Sequence, residues 1–354
     1  MKEVLVLGDG LTQDHCMKKG KIDKKLLARI IFFVAIIGIG FYVVRDSWGE
    51  IWEQLKITPL KVVAGVSLLA FVYYLCEAAS ITCLIRKCNE PYSYKKGLFT
   101  ALYMGFFRVV TFGSGTAAGG MYYTKQKGVP LSKSLGVFTI SYLFQRIVVV
   151  VYFVIAYLLN FKEVRWIFKD YEVQMLMGIG LALLISLGLF LFCVSKKVHS
   201  IIFFILEHLP GKNRFGEKLN ELEDKSEVLR TVSVEILKDK KVWFKLFLTN
   251  TGKLTAWYLI PCVIYGFSTP GEIKNVVCIT SIMYALAGVI PAPGGVGAIE
   301  FLFTLFFTKL VGQVKAVSGA IIFRVATYFI PAIWGFIVFW GLKTKQIREE
   351  IGQK

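Results

Sequence analysis

The chain has 354 residues, with 42 Lys and Arg against 24 Asp and Glu, and a formal net charge of +18. Hydrophobic residues make up 55%, charged residues only 19%, and mean hydropathy is +0.60. This balance excludes a disordered or low-complexity chain and a soluble α/β enzyme as the main body, and it indicates an all-α, multi-span integral membrane protein. The basic surplus falls in short juxtamembrane clusters rather than one long stripe. Anionic phospholipid and the bilayer surface are therefore the expected partners, and nucleic acid is not.

In chain order, residues 1–27 read as a cytoplasmic lead-in. Residues 1–16 are mixed in character, and Met17 opens a basic run that is an alternative start. No signal peptide is expected, because the first apolar block begins near residue 28 with no small-residue cleavage motif after it. Apolar blocks at 28–44, 62–85, 134–160, 173–195, 242–267 and 316–342 are each long enough to cross a bilayer. Two further stretches, 98–125 and 273–311, are apolar but interrupted by glycine, at 113–120 and 291–297. Each reads as two half-helices around a non-helical loop, which survives at membrane depth only when buried in protein or lining a wet cavity. Between them, 196–241 reads as a cytoplasmic loop with an amphipathic helix at 198–209 and a charged surface helix beyond it.

Loop charge sets the orientation. The segments 86–97, 125–133, 196–241 and the tail 343–354 carry basic excess and belong inside; 45–58 and 161–172 belong outside. The first broken stretch then enters and returns from the cytoplasm, and the second from the opposite face. The expected architecture is six full spans plus two re-entrant helical hairpins, eight membrane segments in all. They form an inverted repeat of 62–160 and 242–342 within a membrane domain at 28–342. Gly119 to Arg146 spans 27 positions, as does Gly297 to Arg324. Inverted repeats with discontinuous helices are the common build of secondary transporters.

Charges inside the apolar segments are Glu77, Arg108, Arg146, Lys253, Glu300 and Arg324. Each costs about 2.5–3.5 kcal/mol at mid-membrane on insertion scales, so a binding role or a buried partner pair is the expectation. Four bases against two acids leave a positive surplus suited to a phosphate. A structural pair, Glu300 with Arg324, is the competing reading. Gly294, Gly295 and Gly297 free the backbone for close approach, Pro291 and Pro293 end the preceding half-helix, and the half-helix that follows presents free N–H groups. Glu300 sits at that N-terminus, where it caps the helix or couples to protons or a cationic head group. Gly119, Gly120 and Tyr122 are the corresponding candidates in the first broken stretch. Tyr123, Tyr142 and Tyr328 read as packing residues. Seven cysteines without a CxxC pair and three histidines offer no zinc site, and no metal or cofactor is expected.

The run Val289-Ile290-Pro291-Ala292-Pro293-Gly294-Gly295-Val296-Gly297-Ala298-Ile299-Glu300 resembles the Pro-x-Pro-Gly-Gly-x-Gly-x-x-Glu signature of the lysylphosphatidylglycerol synthase transmembrane, or flippase-like, family. Thr111-Phe112-Gly113-Ser114-Gly115, Gly119-Gly120-Met121-Tyr122-Tyr123 and Lys127-Gly128-Val129-Pro130 resemble its looser first motif. The likeness covers about residues 20–345. Tyr122 stands where Glu300 stands in the second motif, so the two halves are not strictly alike. The resemblance implies a module of the bacterial cytoplasmic membrane, both termini cytoplasmic, that moves or accommodates aminoacylated phosphatidylglycerol and is linked to resistance to cationic peptides. Bifunctional members add a soluble domain that transfers lysine from lysyl-tRNA; with twelve residues after the last span, none is expected here. The leading expectation is therefore a flippase for a phospholipid or an aminoacylated one such as lysylphosphatidylglycerol. Phosphatidylglycerol lysyltransferase, and a non-transporting partner of a cytoplasmic enzyme, are the alternatives. No catalytic residue is expected, and the oligomeric state, homo-oligomer included, is left open.

Overall fold

The computed structural model describes residues 56, 58–111, 113, 115–159, 172–208, 216–290, 292, 295 and 297–352. All of these fall in one unit, Ser47–Lys354. The expected lead-in, the span at 28–44, most of the loops at 45–58 and 161–172, and Pro291, Pro293 and Gly294 lie outside the described residues. Among the described residues every regular element is helical.

α1 (Leu60–Lys87) is an apolar run closed by Arg86 and Lys87, whose charges suit the negative end of a helix. Arg86 Nε donates to the Tyr92 carbonyl at 2.7 Å, and Asn89 takes a left-handed φ of 58°, turning the chain into α2 (Tyr94–Val110). Ser93 caps α2 by accepting from the Lys96 N–H. After a break at 111–115, α3 (Thr116–Gln126) runs to Gly128, and α4 (Leu131–Leu159) follows. α5 (Glu172–Val194) and α6 (Lys196–His208) are the expected span and amphipathic helix, and the chain bends by 101° where they join. α7 (Gly216–Lys238) is the charged helix. It is not wholly solvated: Leu229, Ser233 and Ile236 are buried, and Val232 packs against Gly136 of α4.

α8 (Lys240–Tyr258) starts at Asp239, whose carboxylate accepts from the Lys241 and Val242 N–H groups. The Lys87 ammonium, bonded to the same carboxylate at 2.9 Å, holds it below the usual carboxyl range. The block at 242–267, read from sequence as one span, is in fact two helices. The chain breaks at Leu259 and resumes as α9 (Ile260–Tyr265), with Pro261 in its first turn, where the missing proline N–H is tolerated. α10 (Pro270–Ala287) opens with a capping box between Thr269 and Glu272. A second break separates it from α11 (Ala298–Val311), which turns through Gly312 into α12 (Gln313–Arg324). A π-turn, Val325–Phe329, links α12 to α13 (Ile330–Gly352).

α1, α4 and the run Gln313–Leu342 are long and apolar enough to cross a membrane, and the bent pair at α5 and α6 makes a fourth if taken as one span. α1 packs on α8, and α2 on α13. Small residues allow the closest approaches. At Gly335 of α13 a β-carbon would lie 2.1 Å from the Leu102 carbonyl oxygen of α2, so only glycine fits that seam.

Candidate functional site

The breaks at 111–115 and between α10 and α11 open on a single cavity of about 580 Å³. The first break contributes Gly113 and the opening residues of α3, Thr116 and Ala117; the second contributes Ile290, Ala292 and Gly295, with Ile299 of α11 beyond. α4 supplies Phe138, Tyr142, Gln145, Arg146 and Val149, α1 supplies Tyr73 and Glu77, and α2 supplies Met104 and Arg108. The walls are thus mostly apolar, with a few charged groups, as is usual of a small-molecule site.

Those charges fall into two classes. In the first, each base has a carboxylate. Lys253, 0% exposed, donates to Glu77 of α1 and, at 3.2 Å, to the Gln145 side-chain oxygen. The Glu77 carboxylate that reaches the cavity wall is therefore already neutralised. Arg324, 5% exposed, is held by both oxygens of Glu300 and donates to the Gly295 carbonyl at 2.6 Å. Glu300 also accepts from the Gly297 N–H at 2.8 Å, closing the first turn of α11. Capping and pairing with Arg324, the two structural readings of Glu300 from sequence, are both present. Gly295 and Gly297 carry positive φ values of 69° and 83°, which lets the loop fold over this pair.

In the second class are two arginines without a carboxylate. Arg108 lies against the rings of Trp257 and Tyr328, with its guanidinium carbon 5.2 and 5.9 Å from their centroids. The Tyr328 hydroxyl donates to the Arg108 carbonyl at 3.0 Å, fixing the end of α2. Arg146 donates to the Tyr142 hydroxyl from Nε at 2.8 Å, and its guanidinium lies across Gly288, the C-terminal cap of α10, where free carbonyls favour a cation. Neither arginine has an ion pair among the described residues. A β-carbon at Gly288 would stand 2.2 Å from Arg146 Nη1, the far end of a flexible side chain. Gly288→Val is therefore expected to leave the fold intact, as read by thermal stability, while turning Arg146 aside and lowering binding of an anionic ligand severalfold.

The structure thus brings Glu77, Arg146 and Gly295 to one cavity, with Lys253, Glu300, Arg324 and Gly297 directly behind them. Gly119 and Gly120 do not face it; they are tight packing points, against Phe107 for the first and Phe138 and Met104 for the second. Tyr122 stacks on Tyr103 in an aromatic cluster. Arg108 is the residue that sequence reasoning noted as an intramembrane charge but left out of the site. The available signal was its place five residues before Gly113, at the end of a half-helix. A search of curated proteins found no match to the chain. The family model of the lysylphosphatidylglycerol synthase TM region matches residues 26–335, and the chain belongs to that family.

Proposed function

We propose that the chain is a phospholipid translocator of the bacterial cytoplasmic membrane, in which the cavity takes the lipid phosphate between Arg108 and Arg146. The observation that carries this reading is the pair of guanidiniums left without a carboxylate on a wall that is otherwise largely apolar. A base set in an apolar wall favours a counter-charge, and a lipid phosphate supplies one while its chains remain among apolar side chains. The opening residues of α3 on the same wall add the positive end of a helix. In proteoliposomes carrying a fluorescent phospholipid, Arg108→Gln and Arg146→Gln are each expected to slow translocation at least about tenfold. Unchanged rates in both, with the protein correctly inserted, would show that the phosphate does not pass here.

Alternating access through an inverted repeat belongs to the same proposal. Its support is reciprocal packing: α2, the first arm of one broken stretch, lies on α13, and α10, the first arm of the other, lies on α4. The opening helices α1 and α8 pack on each other. With both termini cytoplasmic, cysteines introduced at 92 and 128 are expected to label with an impermeant maleimide from the cytoplasmic side only, and one at 271 from the outside only. Labelling of 92 and 128 from opposite faces would remove the re-entrant first stretch.

A further inference from the structure

We infer that the cavity selects lipids by the net charge of the head group, favouring an anionic glycerophospholipid over its aminoacylated, net-cationic ester. The inference rests on the proposed translocator reading and narrows its substrate. Its basis is the charge inventory around the cavity. Glu77 is neutralised by Lys253, and Glu300 by Arg324, so these four residues contribute no net charge. Arg108 and Arg146 remain, leaving two positive charges on the wall. Among the described lining residues, Glu77 is the one carboxylate. It already accepts from a fully buried ammonium, that of Lys253, which also donates to the Gln145 side-chain oxygen.

A head group bearing one phosphate and no amine meets this wall with complementary charge throughout. A lysyl ester carries the same phosphate together with two ammonium groups. Those ammoniums find two guanidiniums without a carboxylate and a Glu77 carboxylate whose charge Lys253 already balances through Oε2. The hydroxyls on the wall are neutral: those of Thr139 and Thr116 donate to backbone carbonyls, and that of Tyr142 already accepts from Arg146. At protein-like permittivity two unit charges several ångströms apart interact strongly enough to change a binding constant about tenfold. A change of two units in head-group charge is therefore expected to shift affinity by about tenfold or more.

The test is equilibrium binding of short-chain probes to the full chain in a neutral detergent. The probes are phosphatidylglycerol, its lysyl ester, an uncharged diacylglycerol and water-soluble glycerol 3-phosphate. The inference expects phosphatidylglycerol to bind about tenfold or more tighter than the lysyl ester, with the gap narrowing as salt is raised. The Arg108→Gln/Arg146→Gln double variant should lose the gap, while the Arg108→Lys/Arg146→Lys variant, which keeps both charges, should retain its sign. Equal affinities, or tighter binding of the lysyl ester, would overturn charge selection yet leave the translocator reading standing. Should neither charged lipid bind better than diacylglycerol, the translocator reading falls as well. Glycerol 3-phosphate competing as strongly as the lipid would assign the site to a soluble phosphate ester and overturn a lipid substrate. A gap that persists undiminished in a folded double glutamine variant would place the discrimination elsewhere and also overturn the inference.

Discussion

Lys253→Met is expected to lower the stability of the chain by about 3–5 kcal/mol, because it removes one partner of a buried ion pair and leaves the other uncompensated. Lys253 is 0% exposed, and its ammonium bridges Glu77 of α1 to Gln145 of α4 from its place on α8. Three helices are therefore tied at one point inside the apolar layer. The measurement is the midpoint of thermal unfolding in detergent. The double variant Glu77→Leu/Lys253→Met should recover most of the loss, since an apolar pair in place of a buried ion pair is often neutral or better. A single variant as stable as the parent would mean that the pair is wetter and weaker than the packing of α1 on α8 indicates.

The second large effect lies at the seam of α2 and α13. Gly335→Val places a β-carbon 2.1 Å from the Leu102 carbonyl oxygen and 2.8 Å from the Phe106 nitrogen. Both are backbone atoms in the middle of a helix and cannot turn aside, so the helices must separate. Overpacking of this kind costs about 1–3 kcal/mol, and here the aromatic contacts of Phe106 with Phe336 and Phe339 are lost too. Arg108 lies two residues beyond Phe106, so ligand affinity should fall together with the melting temperature. Gly341→Val makes a fair control, because a β-carbon there meets no atom within 4 Å. Equal melting temperatures for the two variants would show that the seam tolerates spreading.

Much of this architecture is legible in the sequence because glycine and proline punctuate apolar blocks with a definite physical meaning. The breaks at 111–115 and between α10 and α11 follow from that; α1, α4, α5 and α6 follow from hydropathy, while the 101° bend between α5 and α6 has no glycine or proline to mark it. The break at Leu259 had its signal in Pro261, which a hydropathy average over 242–267 conceals. The intramembrane charges stand out in any hydropathy reading, but which charge meets which does not. Glu77 and Lys253 are 176 positions apart, and only the packing of α1 on α8 joins them. The asymmetry between the two matched arginines was, by contrast, already written. Three residues after Gly297 comes Glu300, which holds Arg324; three residues after Gly119 comes Tyr122, which has no carboxylate to offer, and Arg146 donates to Tyr142. The π-turn had no signal at all, since Val-Ala-Thr-Tyr-Phe is ordinary helical sequence.

That π-turn has a bearing on inheritance as well as on shape. It is one residue more than a regular helix would hold, with the Ile330 N–H bonding back to the Val325 carbonyl. Each residue turns an α-helix by about 100°. Loss of one codon within 325–329 would let the helix become regular, but everything on one side of it would swing by that angle. Either Arg324 would leave Glu300, or Gly335 would leave the seam with α2, and Tyr328 would no longer reach the end of Arg108's helix. Substitutions within the turn change a side chain; an in-frame deletion changes the phase between an ion pair and a helix seam. Lineages of this chain should therefore vary in the letters of this segment far more readily than in their number.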